Sequence, residues 1–412
     1  MIPGVARVLL LLPSGTYKAP DFLAAAARLD VEVVVASDTE QTLAEAMGDR
    51  AVVVDLADPP AAAAGITALA RRRPLDAVVA VDDQGVLVAA LAAEELGLPA
   101  NSPEAVGRTR NKAVMRDTLA DRPDLLQPSF RVVYRDANVP KIADQVGWPV
   151  VVKPTTLSAS RGVIRADGPA EAEAAAARVW AILDADGHPP QEPILIEQYV
   201  PGEEVAVEAL LRAGRLEVLA VFDKPDPLTG PYFEETLYVT PSRLPAEVQG
   251  GVAAAVAGAA SAIGLTEGPI HAELRIAADG RPWILELAAR TIGGLCARTL
   301  RFAAGVTLEE LVLRHALGLP IDPRRETQAA GVMMLPIPRA GRLVDVHGQD
   351  DARAVPGITA LEISIAPGRP VRPLPEGDRY LGFLFARASS PTEVEDALRA
   401  AHARLEVVID PA

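Results

Sequence analysis

Four apolar runs open the chain, Val8–Leu12, Val31–Val35, Ala51–Val54 and Ala77–Val81, separated by Ala-rich stretches that suit helices. Strands alternating with helices predict βαβ units and a parallel sheet. No GxGxxG follows the first run, so the dinucleotide fingerprint is absent. Asp82 and Asp83 close the fourth run, where the strand ends of such a sheet meet ligands; loop capping is the alternative reading. Ser102-Pro103-Glu104 reads as an N-cap, an N1 proline and a first-turn acid, opening a helix that runs to about Leu119 and contains Lys112. The stretch Arg122–Pro128 reads as a linker.

Beyond it the pattern gives a strand at Trp148–Lys153, a small-residue loop at Thr155–Gly162, a helix at Ala170–Leu183 and a strand at Ile194–Tyr199. Strands at Val205–Leu211 and Leu216–Phe222, a helix at Ala246–Ile263, a hairpin at Ile270–Leu287 and a helix at Thr307–Leu317 follow. After about Gln328 the chain turns Pro- and Gly-rich with short strands, then a helix at Thr392–His402 and a strand at Leu405–Ile409, a small closing domain.

The hairpin carries the sharpest chemistry. Asp279-Gly280 signals a two-residue turn, which sets Ile276 opposite Trp283, Leu274 opposite Leu285 and Glu273 opposite Glu286. Ala272, Leu274, Ile276, Trp283, Leu285 and Leu287 then share an apolar face, and His271, Glu273, Arg275 and Glu286 share the other. Facing glutamates with Cβ atoms roughly 4.5–5.5 Å apart repel unless a cation or proton lies between them, and oxygen ligands at that spacing suit Mg²⁺. The alternative is an exposed face on which Arg275 neutralises Glu286. Arg290-Thr291-Ile292-Gly293-Gly294 follows at once, a cation and then flexible backbone, as phosphate handling requires.

Lys153 ends an apolar run and needs an anionic partner. The loop after it, TTLSASRG, includes Ser158, Ser160 and Gly162 and lets backbone N–H groups approach phosphates, though an ordinary surface loop reads the same way. In ILIEQYVPGEEV, Glu197 ends a buried strand and Glu203 and Glu204 follow a Pro-Gly turn. Such acceptors suit an adenine amino group and a ribose diol; exposed turn acids are the alternative.

Composition narrows the classes. The 412 residues exceed one ordinary core, and 50% apolar content with only 4% aromatics favours helices packed on buried strands, hence an α/β class. A net charge of -15 argues against a nucleic-acid partner. Cys296 stands alone, which fits a reducing cytoplasm; a small packed residue explains it better than a nucleophile. The first residues look like a signal peptide, but the apolar core is short, and no window reaches the ~18 apolar residues of a membrane span.

The order of NSPEAVGRTRNK, VVVKP, the small-residue loop, IEQYVPGEE, HAELRI and ELAARTIGG resembles the ATP-grasp superfamily across nearly the whole chain. HAELRI, ELAAR with Gly-Gly, GPYFEETLYVTPSRLP and the extra C-terminal domain are similar to the L-amino acid ligase (dipeptide synthase) branch. The resemblance implies an α+β ATP clamp. Residues 1–110 would be a Rossmann-like N-terminal domain, 111–200 the lid, 201–328 the large subdomain and 329–412 a C-terminal domain packed on the clamp. Lys112 and Lys153 would bind phosphates, Glu197 with the Tyr199 and Val200 backbone adenine, and Glu204 ribose. Glu273 and Glu286 would carry one or two Mg²⁺, with Mn²⁺ as a substitute. Arg290 would steady the phosphoryl group and, with the Gly293 and Gly294 amides, an oxyanion. Glu235 and Asp83 would hold a substrate ammonium, capping being the alternative for each; the space at Gly294 points to a larger first substrate. Many members carry Asn two residues after the second metal glutamate, where Ala288 stands here, so one magnesium is firm and a second needs phosphate or water. The activity implied joins a carboxylate and an amine, amino acids foremost, through an acyl phosphate, with a homodimer as a further expectation. A biotin carboxylase-like enzyme using carboxyphosphate and a non-catalytic nucleotide-binding regulator are the alternatives.

Overall fold

The computed structural model describes residues 5–40 and 48–411. The N-terminal unit consists of β1 (Arg7–Leu11), α1 (Ala19–Arg28), β2 (Glu32–Ser37), β3 (Ala51–Val53), α2 (Pro59–Ala70), β4 (Ala77–Ala80) and α3 (Val86–Leu96). Its sheet is parallel in the order β3-β2-β1-β4, and β1 is buried throughout, so the opening apolar run is a core strand.

The helix expected from Pro103 to about Leu119 is two helices, α4 (Pro103–Arg110) and α5 (Lys112–Ala120). Asn111 adopts an extended backbone and its side chain accepts from the Ala113 and Val114 amides, so a local cap outcompetes helix continuation. Lys112 thereby becomes the first residue of a helix rather than a mid-helix residue.

The next unit consists of β5 (Phe130–Val133), α6 (Val139–Val146), β6 (Val150–Pro154), β7 (Ile164–Ala166), α7 (Pro169–Ala185) and β8 (Ile194–Gln198). Its strands form an antiparallel sheet in the order β5-β8-β6-β7. Next come β9 (Glu203–Arg212), β10 (Arg215–Lys224), β11 (Leu237–Thr240), α8 (Ala246–Ile263), β12 (Gly268–Ile276), β13 (Pro282–Ala288) and α9 (Leu308–Ala316). The last elements are β14 (Ala329–Leu335), β15 (Gly341–His347), α10 (Gln349–Arg353), β16 (Ile358–Ile363), β17 (Pro370–Val371), β18 (Gly382–Ala388), α11 (Pro391–His402) and β19 (Glu406–Asp410). One eight-stranded sheet, β13-β12-β9-β10-β11-β14-β18-β16, runs across residue 328 because β14 pairs with β11.

At 18 residues, α8 is long and apolar enough by composition to cross a membrane, which amends the expectation that no window is. Its Val252, Val256, Ala259, Ala260 and Ile263 instead pack in one core with Ala272, Leu274, Ile284 and Leu287 of the hairpin. The turn leading into β9 is fixed by Gly202, whose φ is +129°; a Cβ there would lie 2.0 Å from the Ile276 carbonyl oxygen.

Candidate active site

The facing pair on the hairpin is present, by a different route from a two-residue turn. The Ala277 N–H donates to the Arg281 carbonyl and the Gly280 N–H to the Ala277 carbonyl, so the loop is longer and sets Ile276 opposite Pro282, Arg275 opposite Trp283 and Leu274 opposite Ile284. A bulge at Leu285 then restores the register, and Glu273 opposes Glu286. The bulge exchanges faces on β13: Ile284 is buried in the core, and Leu285, expected there, lines the cavity. The Leu285 carbonyl accepts from Arg116 Nη2 at 2.6 Å, which holds the bulge.

Lys153 on β6 and Glu197 on β8 meet within the four-stranded antiparallel sheet. Lys153 Nζ lies 2.6 Å from Glu197 Oε2, and Arg116 Nε of α5 donates to Glu197 Oε1 at 2.7 Å. Burial lowers the Lys153 pKa against the pull of Glu197. Burial raises and the two cations lower the Glu197 pKa, and the cations prevail. Two cations against one acid leave a surplus positive charge. Glu197 therefore holds Lys153 in place rather than offering a free acceptor. Lys112 Nζ donates to the Leu157 carbonyl at 2.6 Å and lies 3.3 Å from Glu286 Oε1. Ser158 and Ser160 line the cavity; Gly162 does not, its N–H donating to the Pro375 carbonyl.

Across the cavity, Glu204, Glu235 and Glu273 bring carboxylate oxygens within 4.8 Å of one another. Lys224 Nζ sits among them at 2.7, 2.6 and 3.3 Å. Burial and the Glu273 charge push the Glu235 carboxyl up to about 7 despite Lys224. Burial opposes ionisation of Glu273, yet Lys224 and His271 hold it well below the usual range. Arg275, expected in one reading to neutralise Glu286, instead donates to Glu204 Oε2 at 3.0 Å and to the Val200 carbonyl and Tyr199 hydroxyl. Both carboxylate oxygens of Glu204 are thus engaged by buried cations.

The Arg290–Gly294 loop closes the site. Arg290 Nε lies 2.9 Å from Asp83 Oδ2 and Arg110 Nη1 3.2 Å from Asp83 Oδ1. Burial raises the Asp83 carboxyl, but the two guanidiniums outweigh it and bring it down to about 2. Asp83, a candidate for a substrate ammonium, is already paired with two cations. Gly294 adopts φ +56°, and a Cβ there would come 3.0 Å from the Phe383 ring, so the space beside it is filled rather than open. Gly293 lines the cavity. Cys296 is buried, and burial pushes its thiol up to about 12, so it is a packed residue.

One cavity of about 290 Å³ joins these groups, near the lower end of the roughly 300–1,000 Å³ usual for ligand sites. Its wall carries Asp83, Lys112, Lys153, Ser158, Ser160, Glu197, Tyr199, Val200, Glu204, Glu235, Glu273, Glu286, Arg290, Gly293 and Gly294. The donor set is all oxygen on the acidic side, which fits a hard divalent cation, and the surplus positive charge at Lys153 fits phosphate. The sequence reading missed Arg116, Lys18 and Lys224. Lys224 carried a readable signal, because Lys224-Pro225 ends an apolar strand as Lys153-Pro154 does. Arg116 carried none.

The cavity lies between a four-stranded antiparallel sheet and a large eight-stranded antiparallel sheet, with lysines on one side and carboxylates on the other. Family models place an ATP-grasp N-terminal domain at residues 23–100, an ATP-grasp domain at 146–299 and an L-amino acid ligase C-terminal domain 2 at 333–410. The chain belongs to the ATP-grasp superfamily. It is 31% identical over 53% of its length to D-alanine–D-alanine ligase of Gloeobacter violaceus, covering 72% of that protein. It is 25% identical over 58% of its length to alanine–anticapsin ligase of Bacillus subtilis, covering 53% of it. The crystal structure of L-amino acid ligase from Bacillus licheniformis matches at a TM-score of 0.81 with 25% identity, covering 98% of this chain and 99% of that one. Of the first curated relatives it matches, the chain spans 30% to 64% of the length.

Proposed function

We propose that the protein is an ADP-forming carboxylate–amine ligase that joins an amino acid, or a similar carboxylate, to an amine or second amino acid. The observation that carries the reading is the meeting in one cavity of the facing Glu273 and Glu286 with the ammonium of Lys112, 3.3 Å from Glu286, and with Arg290 on the next loop. Lys153, steadied by Glu197 and Arg116, and Lys112 bind the ATP phosphates. Glu273 and Glu286 would hold magnesium, which neutralises phosphate charge when bound. A substrate carboxylate oxygen attacks the γ-phosphorus, the bond to the ADP oxygen breaks, and an acyl phosphate forms. Arg290 steadies the transferred group. The second substrate's amine, once deprotonated, attacks the acyl carbon; Arg290 with the Gly293 and Gly294 N–H groups supports the oxyanion, and phosphate leaves. Glu235 holds a substrate ammonium.

The deciding experiment measures ADP release with amino acids singly and in pairs and reads products by mass spectrometry. Pair-dependent ADP release with a new amide mass is expected. ATP consumption by no pair would sink the reading.

A further inference from the structure

Glu208 stands behind the site and His271 on its wall, and neither has a part in the steps above. Glu208 on β9 and His271 on β12 are register partners, and Glu208 is fully buried. Glu208 Oε2 accepts from the Ile292 N–H at 2.9 Å, across 84 residues of chain, while Oε1 finds no partner. The same Oε2 lies 3.4 Å from His271 Nδ1, and His271 Nε2 lies 3.6 Å from Glu273 Oε1. On the preceding residue, Lys18 Nζ donates to Thr291 Oγ1 at 3.1 Å and to the Thr291 carbonyl at 3.4 Å.

A half-partnered carboxylate in a dry interior costs stability, and an apolar residue of similar volume would be cheaper there. What the acid supplies is direction. With Thr291 clamped by Lys18 and the Ile292 amide clamped by Glu208, the peptide planes that follow at Gly293 and Gly294 start from a fixed orientation, although both residues are glycines with freedom to turn. His271 stands between Glu208 and Glu273 at ion-pair distances, 3.4 and 3.6 Å, with its Nδ1 making no hydrogen bond, so it links the two acids by charge and packing. We infer that Glu208 and His271 are positioning residues that tie the metal-side carboxylate Glu273 to the Arg290–Gly294 loop, so that one set of contacts orients both the cation ligand and the amides facing the acyl carbon. This rests on the ligase reading above.

The test uses the full chain with E208A, E208Q, H271A and H271Q and reads three quantities: ADP released per amide formed, Mn²⁺ affinity by electron paramagnetic resonance with a non-hydrolysable ATP analogue, and melting temperature. In E208A the misdirected loop exposes the acyl phosphate to water, so ADP per amide rises severalfold above the wild-type ratio. E208Q keeps an acceptor for the Ile292 N–H and returns the ratio towards wild type. H271A weakens Mn²⁺ binding roughly tenfold, as loss of a group that orients a metal ligand does, and H271Q recovers part of it. A merely structural role lowers the melting temperature and leaves both the ratio and the Mn²⁺ affinity unchanged, which overturns the inference. Should E208A not fold, E208Q still decides: it removes the charge facing His271, so Mn²⁺ affinity must fall, and a wild-type value overturns the tie. A wild-type chain that turns over no pair overturns the ligase reading instead, and the Mn²⁺ arm still judges the relay.

Discussion

Asp83→Asn tests the pairing that joins the N-terminal sheet to the Arg290 loop. Asp83 is 20% exposed and its carboxyl is held at about 2 against an ordinary 3.8, chiefly by Arg290 and Arg110 working against burial. A carboxyl lowered on folding stabilises the fold above its unfolded value, and the contribution drains as pH falls towards the folded one. Lowering the carboxyl from 3.8 to about 2 corresponds to about 2 kcal/mol near neutrality, of which about 1 kcal/mol is gone by about pH 3. Asparagine supplies none of this. It also leaves Arg290 and Arg110 without their carboxylate, a loss that does not vary over that pH range. Urea denaturation followed by tryptophan fluorescence, run at intervals from about pH 6 to pH 3, should show the gap between wild type and variant narrowing by about 1 kcal/mol. A gap constant across the range would refute the argument that ionisation of Asp83 stabilises the fold through these two arginines. Turnover should fall with the same substitution, because Arg290 loses the contact that aims it.

Glu286→Gln should abolish ligation while the melting temperature stays close to wild type; undiminished activity removes Glu286 from the mechanism. Glu197→Gln leaves the buried Arg116 and Lys153 without their acid and should cost about 3–5 kcal/mol in urea denaturation, part of it recovered by added nucleotide phosphate. Equal stability with and without nucleotide would contradict the surplus-charge argument. Gly294→Ala must adopt a left-handed backbone against the Phe383 ring and should lose about 2 kcal/mol together with most of its activity, read by thermal melting and product formation. Cys296 should resist iodoacetamide at pH 8 in the native protein and react once unfolded, since it is buried and burial pushes its thiol up to about 12.

Most of the longer strands and helices were legible because each is written in a continuous apolar run or a local period, while the short strands β5, β7 and β11 carry too few residues to show one. What was not legible is what a distant element supplies. The facing of Glu273 and Glu286 came out right through two errors that cancel, a turn read too short and a bulge not seen; the bulge answers to Arg116, 169 residues away from Leu285. Asp83 and Glu204 each looked available to a ligand because the arginines that pair with them, Arg290 and Arg110 for Asp83 and Arg275 for Glu204, leave no local trace of the pairing. Lys224 was visible in principle, since it repeats the strand-end Lys-Pro signal, yet its meaning depends on three acids, Glu204 on β9, Glu273 on β12 and Glu235 in the segment before β11. Those partners change the chemistry as well as the inventory. Arg116 and Lys153 against Glu197 leave one positive charge in excess, while Glu204, Glu235 and Glu273 against Lys224 and Arg275 leave a partial negative charge, because the Glu235 carboxyl, pushed up to about 7, is only partly ionised near neutrality. Neither cluster balances itself, and their imbalances face the same cavity. A polyphosphate carrying a divalent cation relieves both at once, which neither ion does alone, so phosphate and metal should bind cooperatively to this chain.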